Sequence, residues 1–79
     1  MTITIKYFGV IAEEAGREEE LLELKSQEYD LERLKNHCFE KYSISDTQSI
    51  QVAVNQTLGA SGPLKHGDEV AFLPPFSGG

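Results

Sequence analysis

A chain of 79 residues can hold only one domain, and a domain of that size buries about 60–65% of its unfolded surface, so the core must be thin. With 39% hydrophobic and 25% charged residues, the composition is that of an ordinary globular protein and excludes disordered and membrane-embedded classes. A net charge of −6 with only 7 Lys and Arg argues against nucleic acid, whose phosphates demand a basic face, and suits a basic protein partner better.

Residues Thr2 to Phe8 alternate, with Ile3, Ile5 and Tyr7 on one face and Thr2, Thr4, Lys6 and Phe8 on the other, which predicts a half-buried strand. Val10 to Ala15 is compatible with a short helix, and Gly16 is placed to stop it in a left-handed cap. A second strand is expected at about Glu19 to Lys25, with Leu22 and Leu24 inward and Leu21 breaking the alternation. Glu13-Glu14 and Glu18-Glu19-Glu20 read as solvated surface that could steer a basic partner.

Asp30 is a good N-cap for a main helix running to about Tyr42. Leu31, Leu34, Cys38 and Tyr42 recur at spacings of three and four and form one stripe toward a sheet, while Glu32, Arg33, Lys35 and Asn36 point mostly outward. Ser43 to Ser49 reads as polar loop. Ile50, Val52 and Val54 make a third strand, Asn55-Gln56 can turn the chain, and Leu58 follows. Gly59 to Pro63 is loop, and the turn His66-Gly67-Asp68 leads into a last strand at Glu69 to Leu73, stopped by Pro74-Pro75. The fold class expected is α+β, a mixed sheet of four to five strands packed on one main helix. The first two strands pair antiparallel, and the helix is the crossover that brings a later strand beside the first. This is the ubiquitin-like β-grasp layout, with residues 1–75 as the domain and 76–79 as a flexible tail.

Phe8 and Leu73 fall on the outward faces of the first and last strands. If those strands are neighbours they form an exposed apolar patch at the root of the tail, which Leu58 can extend, and such patches mark partner interfaces. Cys38 lies in the apolar phase of the helix, where a free thiol behaves as a small hydrophobe. With no second cysteine there is no internal disulfide, and His37 and His66 have no third ligand at metal spacing, so no metal is expected. No apolar run nears the roughly 20 residues of a membrane span and no signal sequence opens the chain, so a cytoplasmic location is expected.

The last residues are Pro74-Pro75-Phe76-Ser77-Gly78-Gly79. Two terminal glycines arise by chance in only about 0.5% of chains at average usage, and here a predicted strand delivers them directly. Val54-Asn55-Gln56-Thr57-Leu58, the run Gly67 to Pro75, and Ser77-Gly78-Gly79 closely resemble the MoaD family, the small sulfur-carrier subunits of molybdopterin synthase. The likeness covers the whole chain and is tightest in its last third.

That resemblance implies a mechanism. Gly79 would be adenylated by a ubiquitin-activating-like, MoeB-like adenylyltransferase and converted to a thiocarboxylate with sulfur from a desulfurase or rhodanese. The tail would then donate that sulfur to cyclic pyranopterin monophosphate inside a MoaE-like large subunit, in a heterotetramer of two small and two large subunits. The chain would be a non-catalytic sulfur donor with no resident cofactor, only a transient AMP adduct and thiocarboxylate. Gly78 and Gly79 lack Cβ atoms and leave the acyl carbon open to attack, while Pro74 and Pro75 preset the backbone at the tail's base. Phe8, Leu58, Leu73, Pro74, Pro75 and Phe76 are the implied partner contacts, and Phe76, bulkier than the residue in many relatives, is expected to dock at the mouth of the partner's channel. A sulfur carrier for thiamine or another pathway, a ubiquitin-like protein modifier and a passive binding module remain open.

Overall fold

The computed structural model of the chain describes residues 1–25 and 29–75. Phe76, Gly78 and Gly79, and with them the expected tail, lie outside the described residues. Strand β1 (Thr2–Tyr7) leads into helix α1 (Gly9–Ala15), strand β2 (Glu19–Glu23), helix α2 (Leu31–Lys41), a 3-10 turn at Thr47–Ser49, and strands β3 (Gln51–Val54), β4 (Thr57–Leu58) and β5 (Glu69–Leu73). The five strands form one mixed sheet in the order β2-β1-β5-β3-β4. β1 pairs antiparallel with β2 and parallel with β5, and β3 lies antiparallel to both β5 and β4. This is the β-grasp arrangement expected, with five strands.

Alternation puts Ile3, Ile5 and Tyr7 of β1 and Val70 and Phe72 of β5 inside, all essentially unexposed. Leu31, Leu34, Cys38 and Phe39 of α2 close over them, and Ile11 and Ala15 of α1 join from one end. Asp30 caps α2 as expected, its Oδ1 accepting from the Arg33 N–H at 2.8 Å. The helix ends at Lys41, with Tyr42 as its C-cap. Gly16 closes α1 in the left-handed conformation, φ 73°.

Three parts of the core depart from the expected pattern. Phe39 sits beside Cys38 in the helix stripe, its ring centroid 5.1 Å from that of Phe72. Ile44, in the segment read as polar loop, is buried, as is Leu64. Leu64 is anchored by its N–H bonding to Tyr29 C=O at 2.8 Å, and Ile44 by its N–H bonding to Phe39 C=O at 2.9 Å. In these loops the chain is held by backbone bonds that a composition reading cannot register.

Asn55 and Gln56 form the two-residue link between β3 and β4, both with positive φ, 50° and 71°, which is the type I′ geometry that matches strand twist. Asn55 also ties this hairpin to β5. Its Nδ2 donates to Asp68 Oδ1 and its Oδ1 accepts from the Glu69 N–H, each at 3.0 Å. Asp68, expected only to flank a turn, is buried and accepts the Lys65 N–H through its other oxygen at 2.7 Å. These bonds, with the Lys65 charge nearby, outweigh the effect of burial and hold its carboxyl below the ordinary 3.8.

Candidate functional site

Both helices lie on one face of the sheet, so among the described residues the other face carries no covering layer. Register decides what that face shows. Lys6, Ala71, Ala53 and Leu58 form one row across β1, β5, β3 and β4, each directly opposite the next. Leu73 and Gln51 stand opposite each other in the adjoining row. Phe8 follows the end of β1, and its N–H donates to Phe72 C=O at 3.2 Å, which brings it level with Leu73. The apolar patch expected from strand phase is therefore formed: Phe8 and Leu58 are 43% and 55% exposed, Leu73 is half-buried, and all three line a groove of about 620 Å³ with Pro74 and Pro75. Lys6 and Glu69, which also line it, form an ion pair at 3.1 Å.

Gly9 seats Pro74, just past the end of β5. Its φ of +57° suits a residue without a side chain, and a Cβ there would lie 3.0 Å from Pro74 Cγ. The Pro74 ring thus packs against bare backbone at the start of α1. Phe8, the N-cap of α1, makes no side-chain capping bond, and its ring is left for the outer face.

The sequence reading missed the role of Glu20, which it placed in a solvated acidic run. In the structure Glu20 lies directly opposite Ile5 in the β1–β2 pair and turns inward, with only 8% of its side chain exposed. It accepts from the Tyr7 hydroxyl at 2.6 Å and from the Tyr42 hydroxyl at 2.8 Å. Arg17 approaches to 3.2 Å and Lys41 to 3.6 Å. Burial pushes the Glu20 carboxyl up, but the two tyrosine bonds and the two cations together hold it below its ordinary range. Tyr7 is pushed up by its own burial and by the carboxylate it serves. Cys38 beneath is a buried free thiol, raised by burial to about 11, and so is an inert hydrophobe as expected. The cluster joins β1, β2 and the end of α2, behind Phe8, and the inward signal could have been found only by counting alternation back from Leu22 and Leu24.

His66 Nδ1 accepts from the Thr2 N–H at 3.0 Å, which assigns it to fastening the last loop to β1. No group of three His, Cys, Asp or Glu side chains among the described residues is arranged to hold a metal ion.

Over residues 5–79 the sequence matches the ThiS family. The chain belongs to this family. It is similar to the molybdopterin synthase sulfur carrier subunit of Mycobacterium tuberculosis, with 35% identity over 91 aligned positions that take in 98% of this chain and 96% of that protein. Its structure is similar to a Pyrococcus furiosus protein described as molybdopterin converting factor, subunit 1, with a TM-score of 0.80 and 25% identity, covering 95% of this chain and 98% of that one. It is also similar to a chain from the complex of subunits 1 and 2 of molybdopterin-converting factor from Helicobacter pylori, at a TM-score of 0.71 and 26% identity over the full length of both. Small archaeal modifier protein 1 from Haloferax volcanii, 23% identical with a TM-score of 0.77 over both full chains, shares the fold. The resemblance to the small sulfur-carrier subunits of molybdopterin synthase, read over the whole chain and tightest in its last third, is thus borne out.

Proposed function

We propose that this chain is the sulfur carrier of a molybdopterin synthase, working through the carboxylate of Gly79. The observation that carries the reading is 35% identity to the Mycobacterium tuberculosis sulfur carrier subunit, spread over nearly all of both proteins. The structure supports it: the tail-bearing strand β5 is clamped between β1 and β3, and an apolar groove surrounds the point where it ends.

A carboxylate is a poor acyl donor until ATP converts it to an acyl-adenylate. A ubiquitin-activating-like enzyme makes that adenylate at Gly79. Sulfide displaces AMP to leave a thiocarboxylate directly. The persulfide of a desulfurase or rhodanese displaces AMP to leave an acyl disulfide, whose S–S bond a second thiol then attacks, releasing the thiocarboxylate and forming a disulfide with the sulfur donor. Gly78 and Gly79 carry no Cβ to obstruct the attack. The loaded tail enters a large subunit, where its sulfur goes to cyclic pyranopterin monophosphate, and Phe8, Leu58, Leu73, Pro74, Pro75 and Phe76 make the contact. The acids and bases of that step belong to the large subunit, and the chemistry takes place in the cytoplasm.

Intact mass after incubation with the activating enzyme, ATP and a sulfur source tests this. A gain of about 16 Da, sulfur for oxygen, is expected, and deletion of Gly79 abolishes it while melting behaviour stays the same. An unchanged mass, or isopeptide capture of the chain on lysines of other proteins, overturns the carrier reading.

A further inference from the structure

The outer face of the sheet has an unusual centre. In the row Lys6, Ala71, Ala53, Leu58, the two residues on the central strands β5 and β3 are both alanine and stand directly opposite each other. Alanine is disfavoured in strands, and an Ala–Ala pair contributes little cross-strand packing where a β-branched pair would contribute more. The sequence gives up sheet stability here, and on an uncovered face nothing in the fold requires small residues.

The consequence is a trough. Ala53 is only 6% exposed although no element covers it, because taller neighbours surround it: Leu58 at the β4 end, Lys6 at the β1 end, and Phe8 and Leu73 along one side. Glu69, paired with Lys6, closes the other side. Leu58 stands with the uncharged Gln51 and Gln56 at the β3–β4 end and Lys6 with Glu69 forms the charged end, so the trough has a direction as well as a depth.

Its position says what covers it. Pro74 and Pro75 line the same groove, and Phe76 to Gly79 continue the chain from them. Four residues reach at most about 13 Å, so a protein that takes the terminal glycines into its interior must bring its surface against this end of the sheet. We propose that the Ala53–Ala71 trough is a preformed socket for a large apolar side chain, aromatic or leucine-like, projecting from the large subunit. This deepens the carrier reading and rests on it. The socket fixes the large subunit's register on the sheet, so that residues 76–79 enter its active site at the correct depth, and the Lys6–Glu69 pair sets the polar edge of the contact. Buried apolar anchors that fill a pocket are the dominant contributors at interfaces of this kind.

Filling the socket tests the idea. Ala71→Leu and Ala53→Leu both add bulk on the outer face. Ala71 is half-buried, so its variant should melt within a few degrees of the parent, whereas Ala53, 6% exposed, has less room and its leucine variant should melt several degrees lower. In calorimetric titration with the large subunit, each is expected to weaken binding at least tenfold, while Ala71→Ser, which keeps the trough open, binds like the parent. In the parent protein, the methyl resonances of Ala53 and Ala71 should shift on addition of the large subunit. If the parent binds, and the leucine variants bind equally well or the two methyl signals stay unmoved, the socket is refuted and the carrier reading stands. If the parent itself does not bind the large subunit, the molybdopterin reading fails along with it.

Discussion

Replacing Glu20 by alanine tests whether the buried carboxylate or the surrounding apolar packing holds β1, β2 and α2 together. The Tyr7 hydroxyl, on a side chain 2% exposed, would lose its 2.6 Å acceptor and remain buried and unsatisfied, at a cost of about 1–3 kcal/mol. Tyr42 is half-buried and can turn to water, so its lost bond costs about 1 kcal/mol. Arg17 and Lys41 are nearly half exposed, and their ion pairs with Glu20 are worth little more than a few tenths each. The total is about 3 kcal/mol, a large part of the roughly 5–10 kcal/mol available to so small a domain. At this chain length each kcal/mol moves the midpoint about 4–8 °C, so Glu20→Ala should melt roughly 12–24 °C below the parent. The decisive comparison is a double-mutant cycle with Tyr7→Phe, which removes the orphaned hydroxyl. The double variant should be more stable than the sum of the single effects implies, by about 1–2 kcal/mol in urea unfolding. Additive effects, or a Glu20→Ala loss below about 1 kcal/mol, would show that the packing of Tyr7, Phe72 and Tyr42 suffices without the carboxylate.

The same group sets an acid limit. Glu20 and Asp68 both titrate below their ordinary values of 4.5 and 3.8, so their stabilisation is complete above those values and is lost as pH falls through the lower folded-state values. Urea midpoints measured from pH 7 to 2 should decline mainly below about pH 4.5, and Glu20→Gln should flatten part of that decline while lowering the neutral plateau. At the β3–β4 turn, Gln56 has φ 71°, so Gln56→Gly should relieve backbone strain and raise stability by up to about 1 kcal/mol, read as a higher melting midpoint. Phe8→Asp should separate stability from docking. Phe8 is an N-cap without a side-chain bond, so aspartate there should leave stability unchanged or raise it by about 0.5–1 kcal/mol. Titration with the large subunit should show weaker binding for this variant and for Leu73→Asp, and equal affinity would remove these residues from the interface.

Most of the fold was legible because strands and helix declare themselves by period. Ile3, Ile5 and Tyr7, then Val70 and Phe72, alternate cleanly, and Asp30 stands where a cap is needed. The outward phase of Phe8 and Leu73 followed from the same count, and the parallel pairing of β1 with β5 brought them together. Phe39 was hidden because it sits immediately after Cys38, at a spacing that a three-and-four stripe passes over. Ile44 and Leu64 were hidden because a single apolar residue in a polar segment carries no period. Glu20 was indistinguishable from Glu18 and Glu19 until the register with Ile5 was known. Ala53 and Ala71 gave no sign, since their significance lies in facing each other across strands separated by a loop, and an alanine is informative only by what it fails to fill.

The two faces of the sheet therefore carry different burdens. A thin core is supplemented by charged and polar locks, Glu20 under Tyr7 and Tyr42 on the inner face and Asp68 with Asn55 at the start of β5, which fix β1, β5 and the β3–β4 hairpin in register. That fixity is what lets the outer face keep features that do not help folding: two opposed alanines, an exposed phenyl ring and an exposed leucine on the short strand β4. A face held rigid from behind presents its relief without ordering cost when a partner arrives, and preorganisation of this kind raises affinity without adding contact area. Loosening the inner locks should therefore weaken docking even where no contacting side chain is altered, because the trough and the base of the tail are the reverse side of the same strands.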